Sequence, residues 1–273
     1  MPTIALVFAL SAAVFHALWN LLLARAPDVE SATAVALLTA EVVFLPLAIV
    51  VWHADAGVVP WLVGSGLFEL AYFALLATAY RKAPLSVVYP VARGGAPVIV
   101  LLVSVVVLGH ATSARQVAAV GLIVCGVVLV RGVGHANATG LAFGVAIACC
   151  IAGYTLIDKQ GITHAGPITY LELSMLVPTL VYAGAIARLK GTRAIRAAVS
   201  PGSIVAGIAT FVAYAFVLAA LERASAASVA AVRETSVVIA TGLSVVVLKE
   251  HVTRWRFLGA CVVVAGIALL ASG

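Results

Sequence analysis

Long apolar runs alternate with short polar or Gly/Pro-rich breaks along all 273 residues of the chain. Most runs have close to the roughly 20 residues that an α-helix needs to cross a hydrocarbon core about 30 Å thick. The breaks are too short to form a separate soluble domain. The pattern predicts an all-α polytopic membrane protein with ten transmembrane helices, at about residues 3–24, 31–52, 58–80, 85–108, 113–131, 138–158, 166–189, 200–221, 225–248 and 252–271.

Composition supports the membrane interpretation. Hydrophobic residues make up 64% of the chain and charged residues only 10%, and the mean hydropathy is +1.20. Soluble domains carry roughly 45–50% apolar and about 25% charged residues, so an ordinary soluble protein is excluded. The first apolar run has no basic segment before it, so we expect a retained span and not a signal peptide. The net charge of +6 lies mostly in loops, which suits membrane flanks and not nucleic-acid binding.

The two halves of the chain resemble each other. A shift of 140 residues places residues 93–130 on residues 233–270 without a gap, with eleven of 38 positions identical and Arg93 on Arg233. Each half holds five predicted spans, and five is an odd number. The second half therefore enters the membrane from the opposite side, which is the inverted-topology repeat of many secondary transporters. We expect the first five-helix repeat at residues 1–133 and the second at 134–273.

Several segments resemble a known family along the whole chain. They are "HALWN" in the first helix, "YRKAPLSVVYPVARGGAP" across helices 3 and 4, its counterpart "LERASAASVAAVRET", and the hairpins "VLGHATSARQ" and "VLKEHVTRWR". These segments are similar to the EamA type of the drug/metabolite transporter superfamily. The acidic Gly-Glu pair that members often carry after helix 4 is Gly109-His110 here. The resemblance implies two EamA-like repeats and a multi-pass carrier of small metabolites, often an exporter, in the bacterial inner (cytoplasmic) membrane.

Two arginines lie inside predicted spans. A charge at the centre of a membrane helix costs about 2.5–3.5 kcal/mol, so such side chains face the protein interior and find partners there. Arg93 lies eight residues after the break between helices 3 and 4, which is roughly 12 Å deep at about 1.5 Å per residue. Arg233 lies as deep from the opposite face, so we expect the two guanidinium groups to flank the midplane. They either brace neighbouring helices or bind substrate, and a guanidinium binds carboxylate, phosphate or phosphonate groups with two donors.

Glutamates are the natural partners of these arginines. Glu69 in helix 3 is the expected partner of Arg93, because helices 3 and 4 should form a tight hairpin. Glu234 points about 100° away from Arg233 around the same helix, so we expect it to face another group. Both glutamates are interpreted as members of structural ion pairs or of a cavity.

Two further carboxylates occupy equivalent helices of the two halves. Glu41 and Glu172 each precede a proline, Pro46 and Pro178, within a predicted span. A carboxylate shielded from water can gain and release protons near neutral pH, as proton coupling requires. The alternative for both residues is a structural role, paired with an arginine or capping a kinked backbone.

Polar and aromatic side chains recur on single faces of otherwise apolar helices, three or four residues apart. Such stripes suit the wall of a cavity that holds a polar solute, and they also suit plain packing between helices. The substrate-binding candidates of this kind, beside the two arginines, are His16, Trp19, Asn20, Tyr89 and Tyr154.

Two more expectations concern helices 4 and 6. Asp158 lies at the predicted end of helix 6, so we expect it in the membrane interface. Pro90 and Pro97, beside Gly94-Gly95, should weaken helix 4 around Arg93 and allow it to bend there.

The chain contains no nucleotide-binding loop and no arrangement typical of a nucleophilic or metal-dependent enzyme. We therefore predict no enzymatic activity, catalytic residue, metal or cofactor. The predicted function is a secondary transporter, with export as the direction, for small polar metabolites bearing an anionic group, such as amino acids or related carboxylates and phosphonates. Alternating access would expose a central cavity between the repeats. The alternatives are proton-coupled efflux of cationic or aromatic compounds, and a non-transporting scaffold or channel. Partners are the solute and the lipid bilayer, and monomer and homodimer both remain open.

Loop charges bear on orientation. Ten spans place both termini on one side of the membrane. The odd-numbered loops carry eleven Lys and Arg residues and the even-numbered loops three. By the positive-inside rule the odd loops are cytoplasmic and both termini lie outside. The family resemblance implies the opposite arrangement, with both termini inside.

Overall fold

A computed structural model describes residues 1–82, 85–131, 138–239 and 253–271, and within these ranges it is almost entirely helical. A 3₁₀ turn at Ala56–Val58 precedes α3, and a π-helical stretch at Val103–Val107 follows α4. The α-helices of the described residues are α1 Thr3–Ala24, α2 Val29–Val50, α3 Val59–Lys82, α4 Leu85–Leu102, α5 Ala114–Arg131, α6 Ala138–Gly161, α7 Pro167–Lys190, α8 Thr192–Ala197, α9 Pro201–Leu221, α10 Ala226–Arg233 and α11 Arg254–Ala271.

These helices correspond to the predicted spans. Six helices in the described part of the chain are long and apolar enough to cross a membrane, and three further apolar helices are shorter. Every one of the ten predicted spans contains a helix, although the structure describes the ninth only as far as residue 239. The fold is therefore that of an all-α polytopic membrane protein. The predicted repeat boundary at 133/134 lies outside the described residues.

Polar residues in the breaks start several of the helices. The Asp28 carboxylate accepts from the Ser31 backbone N–H at 3.2 Å and caps α2. Ser200 and Ser203 form a capping box at the start of α9, and Ser225 caps α10. Such side chains satisfy backbone donors that the first helical turn leaves open. The breaks therefore fix where the helices begin.

Packing runs mainly from one half of the chain to the other. Helix α1 lies against α9, α3 against α6, α2 against α7, and α5 against α11, while α4 packs on α6 and α10. Gly126 and Gly266, which the sequence shift of 140 residues aligns, both lie in the contact between α5 and α11. The absence of a Cβ atom at Gly126 lets the backbone of Gly259 approach closely. Two intertwined halves of this kind fit an inverted repeat.

Contacts between loops show that the chain crosses the molecule alternately. At one end, Lys190 contacts Asp28 at 2.7 Å and Glu30 at 2.6 Å, which joins the break after α7 to the break after α1. At the other end, the Gly166 N–H donates to the His53 carbonyl at 2.8 Å, which joins the breaks before α7 and α3. The first contact joins the first and seventh breaks along the chain, and the second contact joins the second and sixth breaks.

Both termini lie at one end of the molecule. The amino group of Met1 donates to the carbonyl of Leu270, near the end of α11, at 3.0 Å. The prediction that both termini share one side of the membrane is therefore confirmed.

The central helix break lies in the second half. Helix α10 ends at Arg233, Glu234 keeps an αR backbone but forms turn-type i to i−3 hydrogen bonds that interrupt the α-helical ladder, and the helix resumes at residues 235–239. The Thr235 hydroxyl donates to the Val232 carbonyl and so competes with the backbone ladder at this point. Helix α4, in contrast, is α-helical through Arg93, and its expected weakening around that residue stays a prediction.

Candidate functional site

A buried ion pair joins the two repeats at the centre of the bundle. Arg93 Nη1 in α4 lies 3.4 Å from Glu234 Oε1, at the break after α10. Arg93 is 8% exposed and Glu234 is 1% exposed. The expected pairing of Arg93 with Glu69 was wrong, because α3 and α4 make little contact and α4 faces α10. In the described part of the chain, Glu69 Oε2 is buried without a hydrogen-bond partner.

Helix α1 supplies a second group for Arg93. The Arg93 guanidinium contacts Nε2 of His16. The Trp19 ring packs edge-on against His16 with centroids 4.9 Å apart. The Asn20 side-chain amide donates to the His16 carbonyl at 2.7 Å, within its own helix.

Arg233 lies on the other side of Glu234 and is 4% exposed. Its guanidinium is surrounded by Tyr154, Tyr214, Arg93 and Glu234. Within the described residues its Nε atom is buried and has no hydrogen-bond partner. A buried guanidinium donor without an acceptor is costly, so this atom is where an acceptor would be most strongly stabilised.

Aromatic rings from α3, α6 and α9 pack against one another. Tyr154 in α6 packs edge-on against Tyr72, with centroids 6.5 Å apart, and against Tyr214, with centroids 6.2 Å apart. Tyr154 also faces both central guanidinium groups. The side chain of Tyr89 lies outside the described residues, so its predicted role stays a prediction.

Asp158 is a buried hub near the end of α6, and its expected position at the depth of the membrane interface stays a prediction. Helix α6 continues past it to Gly161, and Asp158 is only 1% exposed. Its Oδ1 atom accepts from the Ser65 hydroxyl at 2.6 Å and from the Tyr170 hydroxyl at 2.8 Å. Its Oδ2 atom accepts from the Tyr214 hydroxyl. Three hydroxyl donors compensate the burial of one carboxylate.

Sequence reasoning missed the three hydroxyl partners of Asp158. One signal was available, because Asp158 lies four residues after Tyr154 and therefore on the same face of α6. The stripe that Tyr154 and Asp158 form on this face is one of those interpreted as a cavity wall. The partners lie on three other helices, and no spacing along the chain predicts them.

Two carboxyl groups meet where α2 packs on α7. Those of Glu41 and Glu172 are direct neighbours, and both residues are buried. The Thr179 hydroxyl donates to Glu41 Oε1 at 3.3 Å. Within the part of the chain that the structure describes, the Oε2 atom of each glutamate has no hydrogen-bond partner. Glu69 has Asp158 and Glu41 as its charged neighbours.

The central charges have little exposed surface. Arg93, Arg233 and Glu234 are all buried. One cavity, of about 60 Å³, lies nearer the end that holds the termini. Its walls include Ser104, Thr112, Gln116, Lys159 and Ser225. None of these three charged residues is among the residues that line this cavity.

Comparisons with known proteins agree with this architecture. A solved structure described only as "Crystal structure of protein" superimposes with a TM-score of 0.77 at 18% sequence identity, over 99% of this chain and 96% of the other. At this identity the likeness shows the fold alone. No curated protein matches the chain. The profile of the EamA-like transporter family matches twice, over residues 3–132 and 138–272. The chain therefore belongs to the EamA-like transporter family and is a multi-pass membrane transporter of the drug/metabolite transporter superfamily.

Proposed function

We propose that this protein is a secondary transporter that exports small polar metabolites bearing an anionic group across the bacterial inner membrane. Amino acids and related carboxylates or phosphonates are the proposed substrate class. The observation that carries the proposal is the buried Nε atom of Arg233, which lacks an acceptor in the described residues and lies beside Arg93.

The arrangement of charges favours an anion. Two guanidinium groups, from Arg93 and Arg233, share the centre with one neighbouring glutamate, Glu234. The carboxylate of Asp158 is already engaged by three hydroxyl groups. A carboxylate or phosphonate that entered here would provide the missing acceptor, and a guanidinium fork can hold such a group with two donors.

Alternating access fits the way in which the repeats interlock. The two arginines come from equivalent positions of the two halves. The centre is closed in this structure, and a break in the helical ladder follows Arg233. Discontinuous helices beside a central site are a recurring device of transporters with inverted repeats. We propose that movement of the halves exposes the arginines to each side in turn.

We propose that the pair of Glu41 and Glu172 couples transport to protons. Two ionised carboxylates in contact repel each other and provide acceptors without a donor. One shared proton removes one charge and supplies the donor. The pair joins equivalent helices of the two repeats, α2 and α7, so its protonation would respond to their relative movement.

Transport by the full-length protein in proteoliposomes tests the proposal. We expect labelled amino acids and simple carboxylates or phosphonates to move, and a pH gradient to drive their accumulation. Movement of cationic aromatic compounds alone would instead favour efflux with Glu41 and Glu172 as the binding charges. Flux that depends only on the concentration gradient of the solute would indicate a channel. Absence of flux for every solute would favour a scaffold.

The variant Arg233→Lys tests the arginine contact directly. Lysine keeps the charge and loses the planar fork, so solute binding should weaken by about 1–3 kcal/mol. The matched control is Arg223→Lys, because Arg223 lies exposed near the end of α9 and pairs with Glu222. An equal effect of both substitutions on the transport KM would show that Arg233 makes no special contact with the solute. A ligand-free Tm that falls strongly only in Arg233→Lys, with solute binding unchanged, would show that Arg233 is a structural brace.

A further inference from the structure

We infer that Glu234 is an internal counter-ion that the anionic group of the substrate displaces from Arg93. In the closed structure the Glu234 carboxylate occupies the place on the Arg93 guanidinium that a substrate carboxylate or phosphonate would take. This inference rests on the proposed function, in which the central arginines bind an anion.

The contact between the two side chains is weak for a buried pair. It consists of a single approach of 3.4 Å, from Arg93 Nη1 to Glu234 Oε1. Charge-assisted pairs that hold a structure together are usually about 2.7–2.9 Å long and often bidentate. Here Glu234 Oε2 is buried without a partner in the described part of the chain. Arg93 therefore leaves one acceptor of the Glu234 carboxylate unsatisfied.

Glu234 lies at the interruption between α10 and the helical turn that follows it. It is the residue at which α10 stops, between two short-range bonds: its N–H donates to the Ala231 carbonyl at 3.1 Å, and its carbonyl accepts from the Val237 N–H at 3.0 Å. A side chain at such a break is held by fewer regular backbone bonds than one inside a helix. Release of Glu234 therefore does not require an intact helix to unwind.

Exchange would also free both arginines for one ligand. Glu234 is adjacent to Arg233 in the chain and neighbours its guanidinium, while it contacts Arg93 directly. When an anion replaces Glu234 on Arg93, the orphaned Nε atom of Arg233 lies beside the same anion. Binding then breaks the ion pair that joins α4 to the end of α10, which links occupancy of the site to the contact between the repeats.

The direction of the effect of Glu234→Gln distinguishes this role from others. A competing internal anion weakens binding of an external one, so its neutralisation should tighten binding. A carboxylate that holds a cationic group of the substrate would act in the opposite direction for substrates with such a group. A structural brace would lower the Tm and leave affinity unchanged.

The experiment uses the full-length protein in detergent and measures Tm against concentration of acetate and methylphosphonate at constant ionic strength. Acetamide serves as the uncharged control. We expect Glu234→Gln to tighten the apparent Kd for both anions at least about fivefold, the scale of one ordinary hydrogen bond. Acetamide should show no such change. An unchanged or weaker Kd in the variant overturns the inference.

A second variant at Glu234 and the variant Arg233→Lys distinguish failure of the counter-ion role from failure of the anion site. Glu234→Asp shortens the side chain by one methylene group, so it should tighten anion binding less than glutamine does. If neither variant folds, the pair is a brace that cannot be released, and the inference fails. If the wild type binds the anions, and Arg233→Lys weakens this binding while Glu234→Gln leaves the Kd unchanged, only the counter-ion role fails. If neither anion stabilises the wild type or the glutamine variant, the proposed anion site itself fails.

Discussion

The Tyr170 hydroxyl donates a hydrogen bond of 2.8 Å to Asp158 Oδ1, and both residues are buried. The same carboxylate also accepts from Ser65 and Tyr214, so four helices, α3, α6, α7 and α9, meet at one side chain. Ser65 belongs to the first repeat and the other three residues to the second. Asp158 is therefore a polar link between the halves beside the central arginines.

Replacement of Asp158 by asparagine should destabilise the protein by about 1.5–3 kcal/mol, because an acceptor oxygen gives way to an NH₂ group in front of hydroxyl donors. Asp55→Asn is the control, since the Asp55 side chain is 65% exposed and lies in a break between helices. The Tm in detergent should fall clearly for Asp158→Asn and barely for Asp55→Asn. Equal small shifts in both variants would show that the hub contributes little.

Close approach of α9 to α2 depends on a glycine. A Cβ atom at Gly207 would overlap the backbone oxygen of Ala36 and lie 3.0 Å from its carbonyl carbon. Gly207→Ala should therefore force the helices apart and cost about 1–3 kcal/mol. Gly184→Ala in α7 is the matched control, because nothing lies within 4 Å of the place that its new Cβ atom would take. We expect its Tm to stay or rise slightly, since alanine favours a helix; a Gly207→Ala variant as stable as this control would refute the close contact.

The sequence predicted the spans and the repeat because both depend on regularities along the chain. Hydrophobic length sets the spans, and a shift of 140 residues reveals the repeat. Burial of Arg93 and Arg233 also followed from position alone, since a charge inside a span must face the interior. These predictions need no knowledge of which helices touch.

Partners across helices were the part that the sequence could not supply. Glu69 was chosen for Arg93 because consecutive helices usually pack together, but α4 packs on α6 and α10. The break at Glu234 was hidden for a different reason. Neither glycine nor proline lies at this position. Thr235, whose hydroxyl competes with the backbone hydrogen bonds of the helix, cannot be told from an ordinary helical threonine in the sequence.

Loop charges predict that the end of the molecule containing Lys190 is cytoplasmic. In a variant whose four native cysteines are replaced, Ala197→Cys marks this end and Thr163→Cys marks the other; both positions are exposed. Neither substitution changes the loop charges. In intact cells, an impermeant maleimide should label Thr163→Cys and spare Ala197→Cys until the cells are lysed. The reverse pattern would place both termini inside, as the family resemblance implies.

The pair of Glu41 and Glu172 should bind the coupled proton as one unit. If a single proton is shared between the two carboxyl groups, Glu41→Gln and Glu172→Gln should each abolish accumulation driven by a pH gradient. Exchange of labelled for unlabelled solute should continue, because exchange needs the arginines and no net proton movement. The double variant should behave like either single one, since glutamine in either position already supplies the donor that the shared proton provides.

Glu30→Gln is the control, because Glu30 lies exposed at the start of α2. Accumulation that persists with the same pH dependence in a folded double variant would remove the pair from the coupling mechanism. A Tm that collapses in both single variants would assign it a purely structural role.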